Sequence, residues 1–194
     1  MKKGAMFGLD ARIALAIFGA LSVISGAALY SAIKQAKVVA AVAELNEISK
    51  AVESYMLDVG EDLEQDDVVS SFKKITHLLS SSKQGWSGPY LAYSIMSADH
   101  TLKHNYFTAV QLVSKDTLIW PVVSDSSNDC FSGNGCYYWI IFSSVDNALA
   151  KAIDEYVDGT ADRYKGKIRL VYASNDTSSP TSHLFMQSIP VLSR

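Results

Sequence analysis

The chain has 194 residues, a formal net charge of −3 and 48% hydrophobic residues, with a mean hydropathy of +0.10. This length suits one membrane segment and one globular domain of ordinary size, and it leaves little room for another domain. The Lys and Arg residues are scattered along the sequence, and the absence of a basic surface argues against nucleic-acid binding.

An uncharged apolar run lies near the amino terminus. Residues 13–33 contain no Asp, Glu, Lys or Arg, and the run follows Lys2 and Lys3 closely. In a helix this run would extend about 31 Å, enough to cross a hydrocarbon core of about 30 Å. The sequence therefore predicts one transmembrane helix.

The helical pattern continues past the membrane. Apolar residues recur there in steps of four and three, at Ala41, Leu45, Ile48, Val52 and Tyr55. This spacing predicts a single helix from near residue 10 to near residue 58, with an amphipathic outer half.

The charges beside the apolar run give a weak orientation signal. Lys2, Lys3 and Arg12 precede the run, and Lys34 and Lys37 follow it. Because a short amino-terminal tail stays easily in the cytoplasm, we expect the residues beyond about 34 to lie outside. A cleaved signal peptide ending near residues 26–28 is the alternative, although that cut would interrupt the helical pattern.

Beyond residue 60 the pattern predicts shorter elements. An acidic stretch breaks the helical period, and Asp66 or Asp67 can cap a second helix that carries Val68, Phe72, Ile75 and Leu79 on one face. Segments typical of strands follow, and Pro121 places one of them at an edge or a bulge. The predicted strands are 91–96, 106–113, 118–123, 137–142, 167–173 and 184–189, with a helix at 145–157 that stops at Asp158-Gly159 and a polar loop at 174–182.

The two cysteines, Cys130 and Cys136, flank a short loop rich in turn-forming residues. A disulfide between them would stabilise the fold by about 2 to 3 kcal/mol in the chain-entropy model, and such bonds persist in oxidising compartments. Two reduced thiols or half of a metal site are the alternatives. The export signal at the amino terminus favours the disulfide.

The amino-terminal pattern resembles that of type IV pilins and type II secretion pseudopilins. If Met1 to Ala5 form a basic leader, Met6 becomes the first mature residue, Asp10 the fifth and Gly19 the fourteenth. Family members carry a carboxylate at the fifth mature position, usually Glu, and often glycine at the fourteenth. Cleavage after Gly8 would restore the glycine that the family prefers before the cut, but Leu9 would then begin the chain and Ile13, without a charge, would stand fifth.

Two further segments carry the resemblance. The stretch from Ala43 to Gly60 is similar to the end of the long pilin helix, and residues 85–91, Gly-Trp-Ser-Gly-Pro-Tyr-Leu, look like a segment of the major pseudopilins. Without the family, Trp86 and Tyr90 would simply be aromatic anchors of a turn. The helix predicted at 145–157 has no counterpart in the major pseudopilin pattern.

The resemblance implies an α+β fold in which a long amino-terminal helix packs on a small antiparallel sheet. It implies a leader at residues 1–5 (or a cut after residue 8), a transmembrane half at 6–33, an amphipathic half at 34–60 and a soluble periplasmic or extracellular domain at 61–194. The expected role is that of a structural filament subunit in the bacterial inner membrane and then in a pilus or pseudopilus. The expected partners are other pilin-like subunits, a prepilin peptidase and an inner-membrane assembly platform.

The family also implies a charge pair between subunits. A carboxylate buried alone in an apolar helix costs several kcal/mol, and in the family its partner is the free amine of a neighbouring subunit's first residue. Here Asp10 would meet Met6 of another copy. Neutralisation of Asp10 by Arg12 or water in the membrane interface is the alternative.

Small residues on the membrane helix allow neighbouring helices to approach closely. Ala16 with Ala20, and Ser22 with Gly26, have the spacing that favours helix association in lipid. Gly19 and Gly26 lower helix propensity by about 1 kcal/mol each relative to Ala, which makes the helix easier to stretch locally. A lone anchor with ordinary small residues would look the same.

The sequence gives little support for metal binding or catalysis. His100 and His104 could share zinc only on a helix, and a third ligand is missing from their neighbourhood in the sequence. The acids at 61–67, or Asp154, Asp158 and Asp162, could bind calcium but lack the spacing of an EF-hand loop. Nucleophile elbows, metalloprotease pairs and phosphate loops are absent from the sequence. We therefore expect neither a cofactor nor an enzymatic activity.

The alternative to a filament subunit is a single-pass, membrane-anchored binding or sensor domain that does not polymerise.

Overall fold

The computed structural model describes residues 6–69, 72–117, 130, 135–172 and 178–192. The chain divides into two units, Met1–Val39 and Ala40–Arg194. The domain boundaries expected near residues 33 and 60 stay predictions.

The first helix, α1, spans Met6–Val59, close to the bounds that the sequence predicts. Its segment in the first unit is apolar on all sides, and it contains an 18-residue window with a mean hydropathy of 2.1 of which none is buried. Large side chains such as Phe18 and Leu21 are 73% and 58% exposed. A helix that is apolar all round belongs in lipid or in a core, and this one is consistent with a single-pass membrane anchor.

The part of α1 in the second unit is amphipathic. Leu45, Ile48, Val52 and Tyr55 are fully buried, whereas Leu57 is 77% exposed. The predicted buried stripe of the outer half is therefore confirmed. Burial of this stripe stabilises the fold by about 25 cal/mol for each Å² of apolar surface removed from water.

The predicted second helix between residues 66 and 79 is wrong. The Asp66 carboxylate does act as a cap, since it accepts hydrogen bonds from the backbone N–H groups of Val68 and Val69. The chain then turns back, with a bridge between Gln65 and Lys73, and Phe72 pairs with Val113 in the sheet. Only a short 3₁₀ helix, Ile75–Leu78, follows. Pairing with the sheet thus takes the backbone groups that a helix would need.

The second unit contains a six-stranded antiparallel sheet with the order β1-β2-β3-β4-β6-β5. The last strand lies between β4 and β5, because the chain returns to the middle of the sheet after β5. The strands are β1 Ser94–Ile95, β2 Leu102–Lys103, β3 Ala109–Asp116, β4 Cys136–Asp146, β5 Ile168–Tyr172 and β6 Thr181–Pro190.

Most predicted strands are present with shifted ends. The segment 91–96 contributes only the two residues of β1, and β2 has no predicted counterpart. The strand predicted at 118–123 lies outside the described residues. Thr181 and Ser182, expected in a polar loop, belong to β6.

The outer part of α1 covers one face of the sheet. The hydroxyls of Ser49 on α1 and Ser188 on β6 are hydrogen-bonded, and side chains alternate between the two faces of a strand. Leu184 and Met186 share the face of Ser188, and their partners on β4 are Phe142 and Ile140. These four residues are at most 5% exposed, so the expected α+β fold, a long helix on an antiparallel sheet, is confirmed.

The second helix, α2, spans Asn147–Asp158 and connects β4 to β5. The Asp146 carboxylate caps its first turn by accepting from the N–H groups of Ala148 and Leu149. Gly159 ends the helix in the left-handed conformation, at φ 77°, which glycine adopts without a steric penalty. The predicted helix at 145–157 and its stop are confirmed within two residues.

Candidate functional site

The residues expected to take part in processing lie at the start of the chain. Ala5 is outside the described residues, and α1 begins at Met6. Gly8 and Asp10 are exposed on the first turns of α1. The cleavage site, at Met6 or at Leu9, and the pairing of Asp10 with another copy's Met6 stay predictions.

The small residues expected to pack against other helices are exposed on α1: Ala16, Gly19, Ala20, Ser22 and Gly26. At about 100° per residue they occupy an arc of about 160° around the helix axis. The space beside Gly19 and Gly26 is open within this chain, while the Ser22 hydroxyl donates to the Phe18 carbonyl, 2.8 Å away. These small residues therefore lie on one side of the anchor, where Leu15 and Val23 are also exposed.

The segment at 85–91 holds the end of α1. Gly85 has a φ of 87°, and a side chain there would collide with the Asp58 carbonyl. The hydroxyls of Ser87 and Tyr90 both donate to the Asp58 carboxylate, and these bonds lower the pKa of Asp58. The Trp86 indole donates to the His77 carbonyl at 2.9 Å. This turn anchors the end of the helix, and its likeness to a pseudopilin segment stays a prediction.

The acids at 61–67 bind protein groups. Lys83 lies 2.7 Å from Glu64 and 3.0 Å from Glu61, and Lys74 lies 2.8 Å from Asp67. Hydrogen bonds to Glu64 and Glu61 raise the pKa of Lys83 above its usual range. Within the described ranges, the His, Cys, Asp and Glu side chains do not form a group of three that could hold a metal ion.

The two histidines considered for zinc bind different carboxylates. His100 lies 3.1 Å from Asp66, and His104 lies 3.0 Å from Glu44. The ring of His100 also stacks on Phe72 at 5.2 Å. Each histidine is thus a packing and hydrogen-bonding residue of its own part of the fold.

A disulfide joins Cys130 and Cys136, with a Cα–Cα distance of 5.3 Å, as the sequence predicts. Cys136 is the first residue of β4 and is 6% exposed.

A half-buried polar cluster centres on Glu44 of α1. One of its carboxylate oxygens, Oε1, accepts from the Tyr93 hydroxyl and lies 3.0 Å from Nε2 of His104. Nδ1 of His104 accepts from the N–H groups of Tyr106 and Phe107, both at 2.9 Å. Because Nδ1 is an acceptor, the proton of the neutral ring is on Nε2, which donates to Glu44. Burial and the Glu44 carboxylate raise the pKa of Tyr93.

This cluster forms part of the wall of a large cleft in the second unit, which we call the tyrosine cleft. Its volume is about 890 Å³, within the range of small-molecule sites. It is lined by Ala40, Ala43, Glu44 and Glu47 of α1, by residues 89–94 and by residues 103–106. Tyr106 is 89% exposed, so its ring is open to any molecule that enters.

A second cavity, of about 240 Å³, lies beside α2 and is lined in part by Asp154, Arg163, Tyr172 and Ser182. Asp154 is fully buried, and its carboxylate oxygens meet no hydrogen-bond donor among the described residues. Burial raises the pKa of Asp154 to about 6, and the charges of Asp158 and Asp162 act in the same direction. The Arg163 guanidinium is 3.5 Å from the centre of the Tyr172 ring and donates to the Leu170 carbonyl.

Comparison with protein-family models, curated proteins and solved structures finds no match to this chain.

The sequence did not reveal the tyrosine cleft. Its residues come from α1 and from two later segments that begin about 40 positions beyond Glu47 and lie nine positions apart, and such a combination carries no local periodicity. One signal was present: Glu44 and Glu47 stand directly before the buried Leu45 and Ile48. Carboxylates beside a buried stripe need partners from another element.

Proposed function

We propose that this protein is a structural filament subunit of the type IV pilin and pseudopilin kind. In this proposal the subunit is stored in the bacterial inner membrane, processed by a prepilin peptidase and added by an assembly platform to a polymer of like subunits. Its second unit would lie in the periplasm and then along the pilus or pseudopilus.

The observation that carries the proposal is the position of Asp10. The helix α1 begins four residues before Asp10 and continues through the apolar segment. Among the described residues, the Asp10 carboxylate has no polar partner. Arg12 is the nearest cation in the sequence, two residues along, and residues two apart on a helix do not face each other. A membrane anchor alone does not require an acid in this place.

Assembly would give that carboxylate a partner. Cleavage after Ala5 would create a free amine at Met6, and another copy's Asp10 would then form a charge pair with it in a low-dielectric bundle of helices. Removing one member of a buried pair costs about 3 to 5 kcal/mol. The small residues of α1, Gly19 and Gly26 among them, would allow the close helix approach that the bundle needs.

The processing step can be tested by mass. The full chain is expressed in a bacterial host with and without a prepilin peptidase, extracted from membranes and measured as intact protein. We expect the peptidase to remove Met1 to Ala5 and expose Met6. Removal of residues 1–8 instead would place Leu9 first and overturn the Asp10 pairing, while an intact Met1 or an end within residues 26–30 would support an uncleaved or secreted domain and overturn the filament proposal.

The assembly step is tested with charge variants in a host that makes filaments. Asp10→Ala should remain inserted in the membrane and be cleaved, yet yield few filaments in the sheared fraction. Asp10→Glu should retain assembly because it keeps the charge. Glu53→Ala, which removes an exposed acid elsewhere on α1, is the matched control; normal filaments from Asp10→Ala would defeat the proposal.

A further inference from the structure

We propose that the tyrosine cleft binds an organic cation, a small molecule or side chain that carries a substituted ammonium group. The inference goes beyond a structural role, because it gives the second unit a ligand of defined chemistry.

The charge balance of the cleft favours a cation. Glu44 and Glu47 lie one turn apart on α1 and both line the cleft, whereas Lys103 is the one cation among its lining residues. On Glu44 both hydrogen bonds go to Oε1, and Oε2 has no partner within the described part of the chain. Glu47 is exposed. Two carboxylate groups thus have free acceptor oxygens at the cleft.

The aromatic lining favours an organic cation over a metal ion. Tyr93 and Tyr106 both lie near His104, with ring centres 6.4 and 6.2 Å from the imidazole. A cation above a tyrosine ring gains about 0.5 to 1 kcal/mol at an exposed site and about 2 when water is excluded. Metal ions need three or more convergent ligands, which the described residues do not offer.

The hydrogen bonds of His104 hold this lining in place. Its two acceptor bonds fix the backbone at Tyr106 and Phe107, and its donor bond fixes Glu44. His104 is 7% exposed and stacks on Phe107 with ring centres 4.5 Å apart. A site whose walls are fixed before the ligand arrives loses less entropy on binding.

The test uses choline chloride as the probe and the full chain in maltoside micelles, whose headgroups carry no ammonium. Tyrosine ring resonances are followed by NMR at constant ionic strength, with sodium chloride as the salt control. We expect choline to shift the Tyr93 and Tyr106 resonances in a saturable way. Dimethylbutanol, in which carbon replaces the nitrogen of choline, should bind about tenfold more weakly, since it keeps the shape without the charge.

Two variants at exposed positions keep the test independent of folding. Glu47→Gln and Tyr106→Ala should each weaken choline binding by about three- to tenfold, followed at the Tyr93 resonance, with the resonances of the remaining tyrosines unchanged in the free protein. Glu53→Gln, on the same helix outside the cleft, should bind like the parent. Equal binding of choline and dimethylbutanol, a shift that does not saturate, or unchanged binding in both cleft variants would overturn the proposal.

Discussion

The two parts of α1 have similar residues and opposite surroundings. In the first unit, Leu21 is 58% exposed, and in the second unit Leu45 is fully buried. The outer part is stabilised by its own chain through the sheet, while the inner part has to find lipid or other helices. Under the proposed function, the same helix would serve folding at one end and membrane insertion or assembly at the other, and substitutions should separate the two roles.

The largest effect is expected from a matched pair of truncations. Leu45→Ala should lower the free energy of unfolding by about 2 to 5 kcal/mol, because it leaves a cavity between α1 and the sheet. Leu21→Ala should change it by less than about 0.5 kcal/mol. Urea denaturation in maltoside micelles, followed by tryptophan fluorescence, measures both. Equal losses would show that the inner part also folds against its own chain.

A smaller effect is expected where the second unit buries an ionisable side chain, that of Asp154. The pKa of Asp154 is raised to about 6 in the folded state, whereas the pKa of an Asp side chain in the unfolded chain is about 4. Between these two pH values the folded state therefore holds a proton that the unfolded state has released. The free energy of unfolding should therefore fall as pH rises from about 4 to about 6 and then level off. The charges of Asp158 and Asp162 raise the pKa of Asp154, and Lys151 and Arg163 line the same cavity.

Asp154→Asn should remove this part of the pH dependence and add about 2 kcal/mol at pH 7. Denaturation of both proteins at several pH values provides the measurement. Asp162→Asn, at a half-buried position nearby, is the control and should reproduce only a small part of the gain. Parallel curves for the parent and Asp154→Asn would contradict a buried, protonated Asp154.

The polar cluster on the outer part of α1 should contribute less. Tyr93→Phe removes a donor from the Glu44 carboxylate and should lower stability by about 1 to 2 kcal/mol. Tyr106→Phe removes a hydroxyl from an exposed ring and should be neutral. Thermal unfolding of the two variants side by side distinguishes a bond to Glu44 from a general effect of tyrosine hydroxyls.

Finally, a change on the inner part should leave stability untouched and still disturb assembly. Gly26→Leu adds bulk on the side of the small residues, where the space within the chain is open, so unfolding should shift by less than about 0.5 kcal/mol. Filament yield should fall severalfold. Leu21→Phe adds volume on the opposite side of the helix and serves as the control; equal yields from both variants would argue against packing through the small residues.

The helices and the central strands could be predicted because their signals are local. The period of α1, the Asp158-Gly159 stop of α2 and the apolar segments of β3, β4 and β6 are all visible in the sequence. The helix predicted at 66–79 was wrong because Asp66 caps a turn as readily as it caps a helix. The pairing of Phe72 with Val113 decides for the turn. The tyrosine cleft depends on contacts such as Glu44 with His104, which are made only after folding.

The hydrogen bonds around Asp62 have a practical consequence for labelling. Its Oδ1 accepts from the Tyr138 hydroxyl at 2.8 Å and from the Leu192 backbone N–H at 2.9 Å. Leu192 is thus held by a residue three positions after the end of α1, next to the middle of the sheet. A fluorescent protein fused after Leu192 would be attached next to these hydrogen bonds and could disturb them. A small dye on the exposed Lys165 avoids this site and is better suited to imaging.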